Sequence, residues 1–321
     1  MKQAVVLVVG LLASAMSLAA ECAFEVIAHR GASGERPEHT MAAYELAIEQ
    51  GADYIEPDLV ATQDGVLVAR HEAALAAVDG DGAPVLATTN VAELPKFASR
   101  LTTKQFYGRT VRGWFVDDFS YEEVSELRAR ERYANIRLDS RAHDDQLPIP
   151  RVEDIFALAA RHNVGVYPEL KHPDYYRAKG VDLPALLLAA LAPYPDLKVV
   201  IQSFDPQALK QIAAAAPGRY PLVQLLPRTL FDEAQLAAIA RYADGIGIPI
   251  PIALEAPLVA NAVDAGLMVH AYTLRAEADF LPSGQSLEDV LDGLVQAGVQ
   301  GVFTDHPGRV SQRLKVSCGS T

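Results

Sequence analysis

Seven side chains in this 321-residue chain have the types and spacings that chemistry on a phosphate needs. His29-Arg30-Gly31 follows an apolar run from Phe24 to Ala28, so a base and a fixed cation arrive together at the end of one strand candidate. Glu56 and Asp58 stand two apart, which on a strand puts both carboxylates on one face. Two carboxylates aimed at one place repel unless something cationic lies there, and a hard divalent ion is the usual answer. His71 ends the next apolar run, Val66 to Arg70, and Glu169 and Lys171 share a face by the same period-two rule. Carboxylate oxygens suit calcium or magnesium, and the sequence has no Cys/His cluster with zinc spacing. Such an ion, with Arg30 and Lys171, can hold one phosphate and neutralise charge that builds on it. Two histidines that titrate near neutrality can give and take protons. The set describes hydrolysis of a phosphodiester.

These residues are far apart in the chain, so the fold has to gather them. Thr40 to Gln50 reads as an amphipathic helix stopped by Gly51, and Asp53 to Val60 as a strand. Pro57 pulls that strand toward a sheet edge, where the two carboxylates would be solvated, because proline cannot donate to a ladder. Asp64-Gly65 between two apolar runs predicts a tight hairpin, too short for a parallel crossover. Residues 73–147 then break the rhythm, being polar, with the only tryptophan, Trp114. A capped helix is expected there from Ser120 through Glu123 to Arg130, and Asp79-x-Asp81 reads as a turn because the other ligands of a calcium loop are missing. The stretch is too long for a structureless loop, so it is expected to be an insertion with its own small fold, over one mouth of the main domain.

From Pro148 onward helices and strands alternate, with strands at 164–170, 198–203, 221–226, 244–248, 267–273 and 301–305 and helices at 152–162, 182–192, 206–216, 232–242, 255–265, 286–297 and from Pro307. Nine strand candidates less the hairpin member leave eight, the number of a closed (β/α)8 TIM barrel, here with a small insertion after the third strand. Catalytic groups of such a barrel sit at the C-terminal ends of its strands, where every residue named above falls. Gln202-Ser203-Phe204, His270-Ala271-Tyr272-Thr273 and Thr304-Asp305 end later strands. His270 fits either a pocket or a satisfied core position, while His143, His162 and His172 read as surface residues.

Half of the chain is hydrophobic, enough for a substantial core, and the net charge of -13 argues against nucleic acid as a partner. Residues 1–20 read as a secretory signal, with Lys2, an apolar run from Ala4 to Leu12 and small residues at Ser17 to Ala20. That run is too short for a stable membrane span, so the mature protein, with its barrel domain over residues 24–316, is expected to be exported, periplasmic or secreted. The two cysteines, Cys22 and Cys318, lie at opposite ends of the mature chain, and in an oxidising compartment a bridge between them is expected. Nothing in the sequence fixes the oligomeric state.

The motifs resemble those of the glycerophosphodiester phosphodiesterases, especially the exported bacterial branch. The matching stretches are Val26 to Gly34, Pro37-Glu38-His39-Thr40, Gly51 to Glu56, Tyr167-Pro168-Glu169-Leu170-Lys171, Tyr242 to Gly247 and Phe303-Thr304-Asp305, in order over nearly the whole mature chain. The resemblance implies a TIM barrel with His29 and His71 as the acid–base pair and Glu56, Asp58 and Glu169 as ligands of a divalent cation, calcium ahead of magnesium. It implies that Arg30 and Lys171 contact the phosphate, with Glu38 supporting the site, and that Phe204 and Tyr272 line the alcohol pocket. It also implies attack by a glycerol hydroxyl, a cyclic phosphate, and release of sn-glycerol 3-phosphate and an alcohol. The chain departs from the family pattern at Glu72, where aspartate usually follows the second histidine. Two other readings stay open here. One is a phosphatidylinositol- or sphingomyelin-cleaving relative that stops at the cyclic phosphate. The other is an exported protein that binds phosphodiesters without turning them over.

Overall fold

The computed structural model describes residues 24–317 other than 107 and 228–230. The expected signal, Cys22 and Cys318 lie outside the described residues. The first apolar runs form β1 (Glu25–His29), β2 (Tyr54–Glu56), β3 (Asp58–Ala61) and β4 (Leu67–Ala69). The middle of the chain adds β5 (Ala74–Val78), β6 (Pro84–Leu86), β7 (Thr102–Phe106) and β8 (Arg109–Phe115). After them come β9 (Gly165–Val166), β10 (Glu169–Leu170), β11 (Ile201–Ser203), β12 (Leu222–Leu225), β13 (Gly245–Pro249), β14 (Met268–Leu274) and β15 (Gly301–Thr304).

The main sheet runs β4-β3-β10-β11-β12-β13-β14-β15-β1-β2-β9. Its ends meet. β2 and β3 are one strand interrupted at Pro57, which has no N–H for the ladder, and β9 and β10 are one strand interrupted at Tyr167-Pro168. β2 pairs with β9 and β3 with β10, both in parallel, so the ring closes on eight strands. Pro57 therefore sits inside a barrel strand, and Glu56 and Asp58 are both buried rather than solvated on an edge. Only β4 is antiparallel, folded onto β3 through the Asp64-Gly65 turn.

Helices cover the ring because each presents one apolar stripe to it. The helix Val152–His162 buries Val152, Ile155, Phe156, Leu158 and Ala159, and its large apolar side chains contribute about 1.5–3 kcal/mol each by leaving water. Ile27, Tyr54, Tyr167, Val200, Val223 and Phe303 fill the barrel as a cluster of their own. His270 belongs to that floor. It is buried, its Nδ1 lies 3.0 Å from Tyr167 Oη, and it is a satisfied core histidine rather than a pocket residue.

Strands β5 to β8 form a separate antiparallel sheet in the order β6-β5-β8-β7. Asp79 Oδ1 accepts from the amides of Asp81 and Ala83, so this acidic stretch is a turn. The capped helix is shorter than expected, Tyr121–Ser125, although Ser120 and Glu123 make the reciprocal capping box. It stops because the backbone beyond pairs sideways, Ala129 with Thr89 and Arg128 with Pro148. Among the described residues no helix is long and apolar enough to cross a membrane.

Candidate active site

Strand register gathers the acidic residues. Glu169 is the Cα partner of Asp58 on one side and of Gln202 on the other, and His29 is the partner of Glu56. Partners in a parallel barrel point to the same side of the wall. Glu56, Asp58 and Glu169 are all buried, and one oxygen from each lies within 4.8 Å of the others. They cannot all hold their charge unaided. Burial, then Asp58 and Glu169, push the Glu56 carboxyl well above the usual carboxylate range. Burial, with Asp58 adding and Lys171 opposing, pushes Glu169 up to about 8. Asp58 goes the other way against its burial, held well below by Lys171 and Arg30. Beside them Gln202 donates Nε2 to Glu56 Oε1 at 3.3 Å, while its own buried Oε1 has no hydrogen-bond partner. A dense set of oxygens short of positive charge fits a hard divalent cation.

The cations close on the trio from two sides. Lys171 Nζ is 2.8 Å from Glu169 Oε1 and 3.7 Å from Asp58 Oδ1. Arg30 Nε is 3.2 Å from Asp58 Oδ2, and the Arg30 amide donates to Glu56 Oε2 at 2.8 Å. This hold needs a tight reversal after β1, with Arg30 at φ 60° and Gly31 at φ 86°. A Cβ at Gly31 would lie 2.6 Å from the carbonyl carbon of Ala43, so only glycine lets the loop lie on the next helix. That helix, Met41–Glu49, starts at Thr40, whose Oγ1 accepts from the Ala43 amide.

Each histidine named from the sequence is carried by a carboxylate. His29 Nδ1 donates to Asp305 Oδ1 at 2.6 Å, and its Nε2 accepts from Arg30 Nε at 3.2 Å, which fixes a neutral tautomer with the lone pair on Nε2. Burial, then Arg30, lowers the His29 pKa to about 4 against the pull of Asp305. His71 Nδ1 donates to Glu72 Oε1 at 2.6 Å. Burial, then Arg30 and Lys171, lowers the His71 pKa to about 3 against the pull of Glu72. Glu72 thus does what the family's aspartate is expected to do, orienting the ring.

A cavity of about 860 Å³ opens over these groups. His29, Arg30, Glu56, His71, Glu169, Lys171 and Gln202 line one end, and Phe204, Tyr272, Leu225, Ile250 and Leu254 are among the residues of an apolar wall. The Phe204 and Tyr272 rings meet edge to face with centroids 6.1 Å apart. Glu38 does not reach the cavity. Its oxygens are taken by Arg30 Nη1 at 2.9 Å and by both ends of the Arg132 guanidinium.

The sequence pattern of the glycerophosphoryl diester phosphodiesterase family matches residues 29–309. The chain belongs to that family. It is 30% identical to a glycerophosphodiester phosphodiesterase of Haemophilus influenzae, over 90% of this chain and 89% of that one. It is also 30% identical to one from Bacillus subtilis, over 88% and 83%. Among solved structures, a phosphodiesterase of Oleispira antarctica in complex with the product sn-glycerol-3-phosphate superposes with a TM-score of 0.66 at 22% identity, covering 91% of this chain and 96% of that one, and supports the barrel fold.

Several residues of this phosphodiesterase site were not read from the sequence. His39 is fully buried, donating Nε2 to Asp58 Oδ2 at 2.9 Å and accepting at Nδ1 from Tyr44 Oη at 2.8 Å. Its place beside Glu38 in the opening motif was the available signal. His172, expected at the surface, is partly buried beside Lys171 with its ring edge-on to Phe106, and burial, then Lys171, lowers its pKa to about 4. Arg132 and Arg137 gave no local signal, since their partners lie far away in sequence.

Proposed function

We propose that the chain hydrolyses glycerophosphodiesters to sn-glycerol 3-phosphate and an alcohol, with His29 and His71 as the acid–base pair and a divalent cation, calcium ahead of magnesium, on Glu56, Asp58 and Glu169. The observation that carries this is the convergence on one cavity of His29 and His71, each held by a carboxylate, with Glu56 and Glu169 of a charge-starved acidic trio that Asp58 completes behind them. Charge supports it as well. Three carboxylates against Arg30 and Lys171 leave one net negative charge if all are ionised. A divalent ion reverses that sign, and a singly charged phosphodiester then brings the site to neutrality. When bound, the ion would neutralise charge on the phosphoryl oxygens.

Arg30 and Lys171 hold the phosphate. One histidine takes the proton from a glycerol hydroxyl, whose oxygen attacks phosphorus. The bond from phosphorus to the alcohol oxygen breaks, and the other histidine donates the proton that frees the alcohol. Attack within one molecule gives a cyclic phosphate and gains from proximity. Water then opens the ring with the histidines in exchanged roles, leaving the phosphate on the terminal glycerol oxygen. Phe204 and Tyr272 would line the pocket for the departing alcohol, such as choline or ethanolamine. Export on the leader of residues 1–20 and a Cys22–Cys318 bridge complete the proposal. Two alkylatable thiols under non-reducing mass spectrometry would remove the bridge.

The test is incubation of purified protein with glycerophosphocholine and calcium, followed by assay of glycerol 3-phosphate. Turnover is expected, reversibly stopped by chelation and abolished in His29→Ala and His71→Ala with unchanged melting. Accumulation of a cyclic phosphate alone would assign the chain to the lyase-like alternative. Tight binding without turnover would make it a binding protein.

A further inference from the structure

The polar insertion between β4 and β9 sends two arginines to the carboxylates that carry the two histidines. Arg132 forks onto Glu72, with Nη1 to Oε1 at 2.8 Å and Nη2 to Oε2 at 2.7 Å. The same guanidinium forks onto Glu38, with Nε to Oε2 at 2.9 Å and Nη2 to Oε1 at 2.6 Å. Glu72 holds His71 and Glu38 holds Arg30, so one side chain supports a histidine and the phosphate-holding arginine together. Arg137 does the corresponding work on the other side, donating Nη2 to Asp305 Oδ2 at 2.6 Å and Nη1 to the Ser33 carbonyl at 2.9 Å. Asp305 holds His29, and Ser33 lies in the loop that carries Arg30.

We infer that Arg132 and Arg137 are positioning residues for the reaction, and that the insertion sets the working geometry of His71 and braces that of His29, whose partner Asp305 the barrel already places. The inference rests on the function proposed above. Neither arginine lines the cavity, so each acts through the carboxylate it holds. The geometry is specific to arginine. A planar fork can grip two carboxylates at once, whereas a lysine ammonium is a point charge that serves one of them well. The carboxylates need such a partner, because Asp305 is buried, Glu72 is partly so, and each already receives a histidine N–H. Left without Arg132, Glu72 could turn with the ring it holds, and a misplacement of about 1 Å can cost about 100-fold in rate. A pin that only fastens the insertion to the barrel would change melting and leave kcat alone.

The experiment measures kcat, KM and melting for Arg132→Met, Arg132→Lys and Glu72→Gln, and for each arginine variant combined with Glu72→Gln, on glycerophosphocholine with calcium. Arg132→Met is expected to lower kcat about 10- to 100-fold while KM moves less than about fivefold. Arg132→Lys should recover only part of the loss. The effects of Arg132→Met and Glu72→Gln should fall short of multiplying by at least about fivefold, because both break one linkage. Arg137→Met, measured beside them, should lower kcat by a smaller factor than Arg132→Met, because Arg275 still holds Asp305, and an equal or larger loss would overturn the bracing role. A kcat within twofold of wild type in Arg132→Met, or fully multiplicative effects, would overturn the inference. If Arg132→Met does not fold, the Arg132→Lys cycle with Glu72→Gln reads the same coupling. Absence of turnover in the wild-type protein would instead indict the proposed function.

Discussion

The two histidine arms reach the same cavity but are held differently. His29 ends β1 and Asp305 follows β15, and these strands are neighbours in register, with Ala28 opposite Thr304. The barrel ladder itself therefore sets that pair. Asp305 also receives Arg137 and Arg275, and the arm is closed, with 12% of the His29 side chain and 2% of Asp305 exposed. Against its burial, Arg275, His29 and Arg137 hold the Asp305 carboxyl well below the usual range. His71 and Glu72 are chain neighbours after β4, outside the ring, with 32% and 27% exposed. Glu72 has Arg132 from the insertion and follows β4, which is not one of the eight barrel strands. Closing the barrel places one arm, which Arg137 only braces, whereas the other depends on a segment added to the barrel.

Substitution of the two carboxylates tests that difference directly. Asp305→Asn should have the larger effect, lowering kcat about 10²- to 10⁴-fold, because an amide can present its N–H₂ to Nδ1 and favour the wrong tautomer. Glu72→Gln breaks an equivalent contact in a looser arm, and about a 10- to 100-fold loss is expected. Glu72→Asp should cost less again, within about tenfold, since the shorter carboxylate keeps the ring contact but loses one prong of Arg132. Saturating rates for the three variants, with melting curves as a folding control, give the ranking. Equal losses for Asp305→Asn and Glu72→Gln would erase the distinction between a ladder-set arm and an insertion-set arm.

The ladder-set half of the site was the half legible in sequence. Alternating apolar runs and caps gave the eight strands and their helices to within a few residues, and barrel logic put His29, Glu56, Asp58, Glu169 and Lys171 at one mouth. Asp64-Gly65 marked a hairpin, one of whose two strands had to lie outside the parallel set, and the register shows that strand to be β4. Pro57 pointed toward an edge strand because local rules see the missing N–H but not the ring, which absorbs the break by splitting one strand into β2 and β3. The insertion-set half was hidden. Arg132 carried no local signal, because it meets Glu72 across 60 residues and Glu38 across 94. No periodicity encodes a contact of that kind. His172 was misplaced for a related reason, since burial by Phe106 of the insertion is not visible in its own neighbourhood.

The smallest effect expected is on stability, and it separates the mouth of the barrel from its floor. His270 is buried at the floor and does not itself line the cavity, from which Phe303 separates it. Burial, then the Lys198 ammonium, lowers its pKa to about 4. In the unfolded chain it would titrate near 6.5. Between those values the unfolded state binds a proton that the folded state refuses, so stability is complete above about pH 6.5 and is lost as pH falls toward 4. One such histidine contributes a slope of about 1.4 kcal/mol per pH unit in that window. His29 and His71 add slopes of the same sign, but theirs should shift when an anionic phosphate or a cation changes the charge at the mouth, the anion raising and the cation lowering their pKa, and that of His270 should not. His270→Gln is therefore expected to lower stability by a fixed amount above about pH 6.5, through the altered contact with Tyr167, and to flatten the acid limb below it whether or not calcium and glycerol 3-phosphate are present. Denaturant melts from pH 7 to 4.5 measure both quantities. An acid limb as steep in His270→Gln as in the parent chain would mean that the floor histidine is already protonated in the fold, and that the mouth alone sets the acid sensitivity.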